Sequence, residues 1–191
     1  MNESTMSDAE LMQHIAAGDE RALSALMHRH GGYCFRLALR ITGQRDSADD
    51  VVQETFMRVW QNAARWQAPD LAGARFTTWL YRVVSNLAID ELRRRKQGVF
   101  SMLDDSIADS GESPERKLAV QDDAKEVSRA LDALPERQRV AFVLCFYEEK
   151  TNQQAADIMG VNLKAFEGLL VRARRHLRER LGYMKKEIGH E

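Results

Sequence analysis

Cysteine, proline and long apolar runs are all scarce in this chain, and each shortage excludes something. The only cysteines, Cys34 and Cys145, cannot build a disulfide framework. The longest apolar run, Val140 to Tyr147, has eight residues, whereas a membrane span needs about 20. Stable membrane insertion is therefore not expected. Met1 to Asp8 has no basic stretch followed by an apolar one, so no secretory signal is expected and the cytoplasm is the default location. Neither charge sign dominates: 28 Lys+Arg stand against 29 Asp+Glu, for a net charge of −1. That balance names no partner, and the distribution of charge must do so instead. No P-loop, dinucleotide fingerprint or nucleophile elbow is present, and the acidic pairs Asp49-Asp50 and Asp104-Asp105 have no evident pocket. An enzyme is not expected, nor any cofactor.

What is present reads as helix. The 191 residues suffice for one domain or two small ones. Three prolines, Pro69, Pro114 and Pro135, mark boundaries. Ser7 with Glu10 forms a capping box, and Gly18 closes that first helix. A second helix is predicted from about Asp19 to Ile41. Leu23, Leu26, Met27, His30, Cys34, Leu37, Ala38 and Ile41 share its apolar face, and Gly43 ends it. Ser47 is expected to cap a third helix with a stripe of Val52, Phe56, Val59, Trp60 and Ala63. A loop follows from Trp66 to Arg75. A fourth helix is predicted from about Thr77 to Lys96, with Trp79, Leu80, Val83, Val84 and Leu87 inward.

Residues Gln97 to Ser113 hold Asp104, Asp105, Asp109 and Glu112 and no lysine or arginine. Few apolar side chains are available to offset ordering, so the segment reads as a flexible acidic linker. Ser113-Pro114-Glu115 then opens a new helix. Beyond it Leu131, Leu134, Val140, Val143 and Phe146 supply apolar positions. The fold class is all-α: two small helical domains, 7–96 and 114–186, joined by the linker 97–113.

The clearest local motif lies in the second domain. Thr151-Asn-Gln-Gln154 is a capping box opening a short helix with Ala155, Ala156, Ile158 and Met159. Gly160-Val161-Asn162 turns, and Asn162 caps a longer helix that buries Phe166, Leu170, Ala173 and Leu177. This is a helix-turn-helix pattern, whose second helix enters the DNA major groove by its N-terminal residues. Those residues are Lys164, Ala165, Glu167, Gly168, Val171 and Arg172. The helix continues through Arg174, Arg175, Arg178, Arg180, Lys185 and Lys186 as a phosphate-binding stripe. The same pattern also fits a helical hairpin with a solvated basic face. A second basic cluster, Arg93-Arg94-Arg95-Lys96, ends the fourth helix, where cations complement the macrodipole. Arg82, Asn86, Asp90 and Arg93 line one polar face beside Trp66, Phe76, Trp79 and Tyr81. Aromatics next to a basic, amide-bearing face suit single-stranded nucleic acid, although such rings more often pack in a core.

The runs Asp50-Val-Val-Gln-Glu-Thr-Phe56, Phe76-Thr-Thr-Trp-Leu-Tyr-Arg82 and Asn86-Leu-Ala-Ile-Asp-Glu-Leu-Arg-Arg94 resemble sigma-70 region 2. Leu134-Pro-Glu-Arg-Gln138, the helix-turn-helix and Arg172-Ala-Arg174 resemble region 4. The layout is similar to the extracytoplasmic-function (ECF) alternative sigma factors. The resemblance implies binding to core RNA polymerase and promoter DNA, and restraint by an anti-sigma factor. It places Asp49, Asp50, Gln53 and Glu54 on the polymerase clamp helices. It places Trp66, Phe76, Arg82, Asn86, Arg93 and Arg94 at the −10 element, with Asn86 holding a flipped base. It assigns Thr151, Lys164, Ala165, Glu167, Gly168, Val171, Arg172 and Arg175 to the −35 element. The Trp66 to Arg75 loop would carry −10 specificity, and the acidic linker would thread the polymerase's active-site and RNA-exit channel.

Glu167-Gly168 departs from the basic residue and serine of many relatives, so the −35 sequence does not carry over. His30 and Cys34, one helical turn apart, read as packing rather than zinc ligands, and no metal is expected. Cys145 is expected to be an inert core thiol. Two rival classes share parts of this pattern. A simple helix-turn-helix activator would need neither the Asp50 to Phe56 run nor the Asn86 face. A sigma mimic that titrates an anti-sigma factor would usually carry a receiver domain, for which this chain is too short.

Overall fold

The computed structural model of the chain describes residues 6–66, 74–102 and 129–187. Helix α1 spans Asp8–Ala16, α2 Glu20–Thr42, α3 Arg45–Asn62 and α4 Ala74–Met102, with a short 3-10 turn at Ala63–Arg65. Residues 129–132 are helical and precede α5 (Glu136–Phe146), α6 (Asn152–Met159) and α7 (Leu163–Glu187). No strand occurs among the described residues.

Local chemistry sets most helix ends. The Ser7 hydroxyl accepts from the Glu10 amide while the Glu10 carboxylate accepts from the Ser7 amide, closing the first capping box. The Asp19 carboxylate caps α2 through the Arg21 and Ala22 amides. Gly43 ends α2 at φ +74°, a left-handed conformation that a side chain would strain. Helices α2, α3 and α4 pack on one another with α1 laid against α2. Leu26, Leu37, Ile41, Val59, Leu80 and Val84 are fully buried between them. Each such side chain stabilises the fold by roughly 1.5–3 kcal/mol.

Asp8 anchors α1. Its carboxylate accepts from Arg29 Nη1 at 2.6 Å and pairs with His30 Nε2 at 2.9 Å, and Arg29 also donates to the Met6 carbonyl at 2.7 Å. The His30 ring packs 5.7 Å from that of Phe76. Burial alone would raise the Asp8 carboxyl, but the hydrogen bonds and charges of His30 and Arg29 hold it below the usual carboxylate range. A folded pKa below the unfolded one gives stability that is full above the unfolded value. That stability is lost as pH falls through the lowered folded value. The difference in urea midpoint between the wild type and Asp8→Asn should therefore be largest at neutral pH and shrink below about pH 4. A gap independent of pH would remove this role for Asp8.

The second unit does not hang free. Its buried residues Val140, Val143, Leu144, Ala156, Ile158 and Phe166 join one apolar cluster with those of α2, α3 and α4. Helix α4 packs against both α6 and α5, and α2 against α5. A smaller cluster, Ala130, Leu131, Leu134, Ala173 and Leu177, closes the far side of this unit.

Several expectations need correction. Helix α3 begins at Arg45 rather than after Ser47. Ser47 is buried, and its hydroxyl donates to Glu91 of α4 at 3.1 Å. The buried face of α3 is Ser47, Ala48, Val51, Thr55, Phe56 and Val59, turned from the predicted stripe, so Val52 is half-buried and Trp60 exposed. Small residues let neighbouring helices approach, and the Thr55 hydroxyl satisfies itself on the Val51 carbonyl at 2.7 Å. Leu23 is half-buried and Met27 exposed, because no described element covers that edge of α2. Trp79 and Val83 are also half-buried. Phe146, at the end of α5, is exposed; it stacks on Phe142 with the Arg174 guanidinium over its ring. Cys145 is half-buried rather than core, and burial raises its thiol pKa. Helix α4 continues through Gln97–Met102, which the sequence reading gave to the linker. Linker residues 103–113, the Ser113-Pro114-Glu115 start and 67–73 of the Trp66 to Arg75 loop lie outside the described residues.

Candidate nucleic-acid interface

The helix-turn-helix is built as its sequence demands. The Thr151 hydroxyl accepts from the Gln154 amide at 3.2 Å and the Gln154 side chain accepts from the Thr151 amide at 3.0 Å. Gly160 turns the chain at φ +64°, and Asn162 Oδ1 accepts from the Ala165 amide at 2.8 Å to start α7. Phe166, Leu170, Ala173 and Leu177 are buried. That sets Lys164, Ala165, Glu167, Val171 and Arg172 together on the open edge, with Val171 65% exposed. Gly168 is half-buried there, and the Arg172 guanidinium lies beside it. Arg174, Arg175, Arg178 and Arg180 are exposed further along, Arg175 within 3.9 Å of Glu179. An exposed apolar valine among cations suits a surface that must touch base edges as well as phosphates. Lys185 and Lys186 belong to the last turn of α7.

The second candidate face is on α4. Arg82, Asn86, Asp90 and Arg93 are all exposed. Asn86 and Arg93 line a cleft of about 330 Å³ with Arg58 of α3 and Arg137, Val140 and Met159 of the other unit. Arg137 and Arg58 were missed by sequence reasoning. Their helix phases gave no sign that folding would bring three arginines to one asparagine. Arg82 is turned toward the helix-turn-helix, donating to the Asp157 carbonyl at 2.5 Å. Arg94 is not in this group. It pairs with Glu91 and faces a different depression with Asp50, Gln53 and Glu54.

The aromatic cluster divides by exposure. Trp66 packs edge-on against Phe76 at 5.7 Å and Trp79 at 5.2 Å. Phe76 is only 3% exposed. This corrects its expected role as a base-stacking surface: burial leaves its ring no free face, and it supports Trp66 and Trp79 instead.

On α3, Asp49, Asp50 and Gln53 are exposed, and Glu54 is half-buried with an ion pair to Arg58 at 3.0 Å. Asp49 and Gln53 border an apolar groove of about 410 Å³ walled by Met27, Phe56, Met57 and Trp60. Trp60 was expected in the core and is instead part of this surface. Its i+3 spacing from Met57 was the available signal. No group of three or more metal-ligating side chains gathers among the described residues. No described helix is long and apolar enough to cross a membrane.

Among the described residues, fold and surfaces together define an all-helical protein of two units, one of which carries a helix-turn-helix. Sigma-70 region 2 matches residues 26–98, and sigma-70 region 4 matches 124–177. The ECF RNA polymerase sigma factor SigM of Mycobacterium tuberculosis is 32% identical, over 96% of this chain and 89% of its own. SigE of Mycolicibacterium smegmatis is 30% identical, over 91% of this chain and 68% of its own. Among solved structures, CnrH in complex with the cytosolic domain of CnrY matches with a TM-score of 0.64 and 27% identity, over 92% of this chain and 97% of that one. The chain belongs to the ECF sigma factors of the sigma-70 family. It is an alternative sigma factor, a transcription initiation factor rather than an enzyme.

Proposed function

We propose that the chain works in the cytoplasm, binding core RNA polymerase through the α2–α3 surface and promoter DNA through α4 and α7. The observation that carries this is the pairing, in one chain, of a helix-turn-helix edge with an arginine-lined cleft around Asn86. An activator bound only to duplex DNA has use for the first but not the second. Asp49 and Gln53 rim the apolar Met27–Met57–Trp60 groove, with Asp50 and Glu54 in the adjoining depression of α3. Such a rim guides a basic helical partner and raises its on-rate, while the apolar centre holds it. Asn86 offers an amide to the edge of an unstacked −10 base, with Arg93 and Arg82 on the flanking phosphates. Lys164, Glu167, Val171 and Arg172 face the −35 major groove. Thr151, Ala165, Gly168 and Arg175 complete that surface. Domain roles follow: 7–96 for polymerase and −10, 114–186 for −35, with α4 running on to Met102 into the segment between them. CnrH was solved with the cytosolic domain of CnrY, a sigma-like fold held by a second protein, and an anti-sigma factor is the proposed restraint on this chain.

Run-off transcription with core polymerase on a genomic library tests the whole reading: discrete start sites must appear only when this chain is added. Arg172→Ala should weaken binding of the holoenzyme to −35 DNA by about 1–3 kcal/mol and relax sequence preference. Arg178→Ala, further along the basic stripe, should lower affinity for matched and scrambled DNA alike and reduce the salt slope by about one. Equal behaviour of the two variants in salt titrations would mean that α7 docks otherwise.

A further inference from the structure

The turn between α5 and α6 makes contacts that a DNA-binding unit does not need for its own fold. The Glu148 side chain is 6% exposed and ion-paired to Arg40, near the end of α2. Arg40 also donates to the Tyr147 carbonyl at 3.1 Å, with its guanidinium over the Tyr147 ring. The Lys150 ammonium sits 5.5 and 5.7 Å from the rings of Tyr33 in α2 and Tyr81 in α4, which pack 4.2 Å apart. Between these two charges, Glu149 holds a left-handed φ of +52°. A non-glycine residue keeps that conformation only where its surroundings fix it. Burial, with the Glu148 carboxylate nearby, pushes the Tyr33 phenol well above its ordinary range.

Neighbouring contacts close the same seam. Arg139, buried, pairs with Asp132 at 2.6 Å and reaches the Arg40 carbonyl at 3.3 Å. Both side chains lie so near Gly43 that a Cβ there would stand 3.1 and 3.2 Å from them. Lys96 pairs with Glu136 at 2.6 Å. Across the seam the Asp157 carbonyl occupies Arg82, and Arg137 and Met159 wall the Asn86 cleft.

We propose that the Tyr147–Lys150 turn is a latch, by which the free chain closes its helix-turn-helix unit over its own Asn86 face. No second protein is required for this closure. Its consequence for DNA rests on the reading of that face given above. For Arg82 to contact DNA, it must first release Asp157. Core polymerase, or any partner that separates the units, competes with Arg40 for Glu148 and with the tyrosine pair for Lys150.

The test uses the full chain with spin labels at Gln61 and Lys164, both exposed, in a Cys145→Ala background. Cys34 stays unlabelled, being fully buried with its thiol pushed up to about 12. The free protein should give one narrow distance. Glu148→Gln combined with Lys150→Ala should give a longer, broader one while helicity is retained. The charge swap Arg40→Glu with Glu148→Arg should restore the narrow distance that either half alone loses, which a folding defect would not do. Affinity for a labelled mixed-sequence single-stranded oligonucleotide should rise about tenfold in the opened variant, as expected if closed molecules outnumber open ones about ten to one. A broad distance in the wild type, equal to that of the variant, would overturn the latch. A lengthened distance with unchanged oligonucleotide affinity would confirm the latch and overturn the reading of the Asn86 face as a DNA site.

Discussion

Phe166→Ala should destabilise the protein by about 3–5 kcal/mol. Phe166 is the bulkiest of the fully buried side chains among the described residues. It sits in the first turn of α7 and joins the cluster shared with α2, α3 and α4. Truncation leaves a cavity where neighbouring helices cannot collapse freely, so lost contacts add to the lost transfer free energy. The recognition edge is positioned from behind by this ring, and −35 binding should fall with the stability. Val171→Ala is the control: it lies on the same helix but is exposed, and its effect should be within about 0.5 kcal/mol. Urea unfolding of both variants gives the comparison. A loss under about 1 kcal/mol for Phe166→Ala would mean that α7 is not anchored through this ring.

Asn86→Ala should separate promoter opening from polymerase binding. Asn86 is exposed and lies among arginines in the α4 cleft, away from the α2–α3 groove. Removing its amide should therefore leave the fold and core affinity unchanged. The lost pairing with a base edge should weaken opening by about 1–3 kcal/mol, roughly 5- to 150-fold. Permanganate reactivity of −10 thymines reports the opening, and fluorescence anisotropy with core polymerase reports the affinity. Equal losses in both measurements would take Asn86 out of the DNA site. The latch makes a further distinction: in the free chain the substitution should act only after the units are separated.

Local chemistry already determined much of this molecule. The Ser7 and Thr151 capping boxes, the Gly43 and Gly160 turns and the Asn162 cap form where the sequence places them. These are contacts between residues two to four apart, and no distant partner can easily override them. The helix-turn-helix edge was equally legible, because Phe166, Leu170, Ala173 and Leu177 fix which side of α7 is buried. The stripe of α3 was not, because hydroxyl residues such as Ser47 and Thr55 enter a core once their hydrogen bonds are met. Trp60, Met27 and Met57 look apolar enough for a core in any sequence reading, yet stand at an edge that no described helix covers. Only the tertiary structure decided that the two units share one apolar cluster, that Arg137 joins Asn86, and that Glu148 meets Arg40. Those pairs are separated by between 51 and 108 residues in the chain. No local period encodes such a distance; it is set by which helix faces remain apolar after each unit has formed, and by the opposite charges that then meet across the seam.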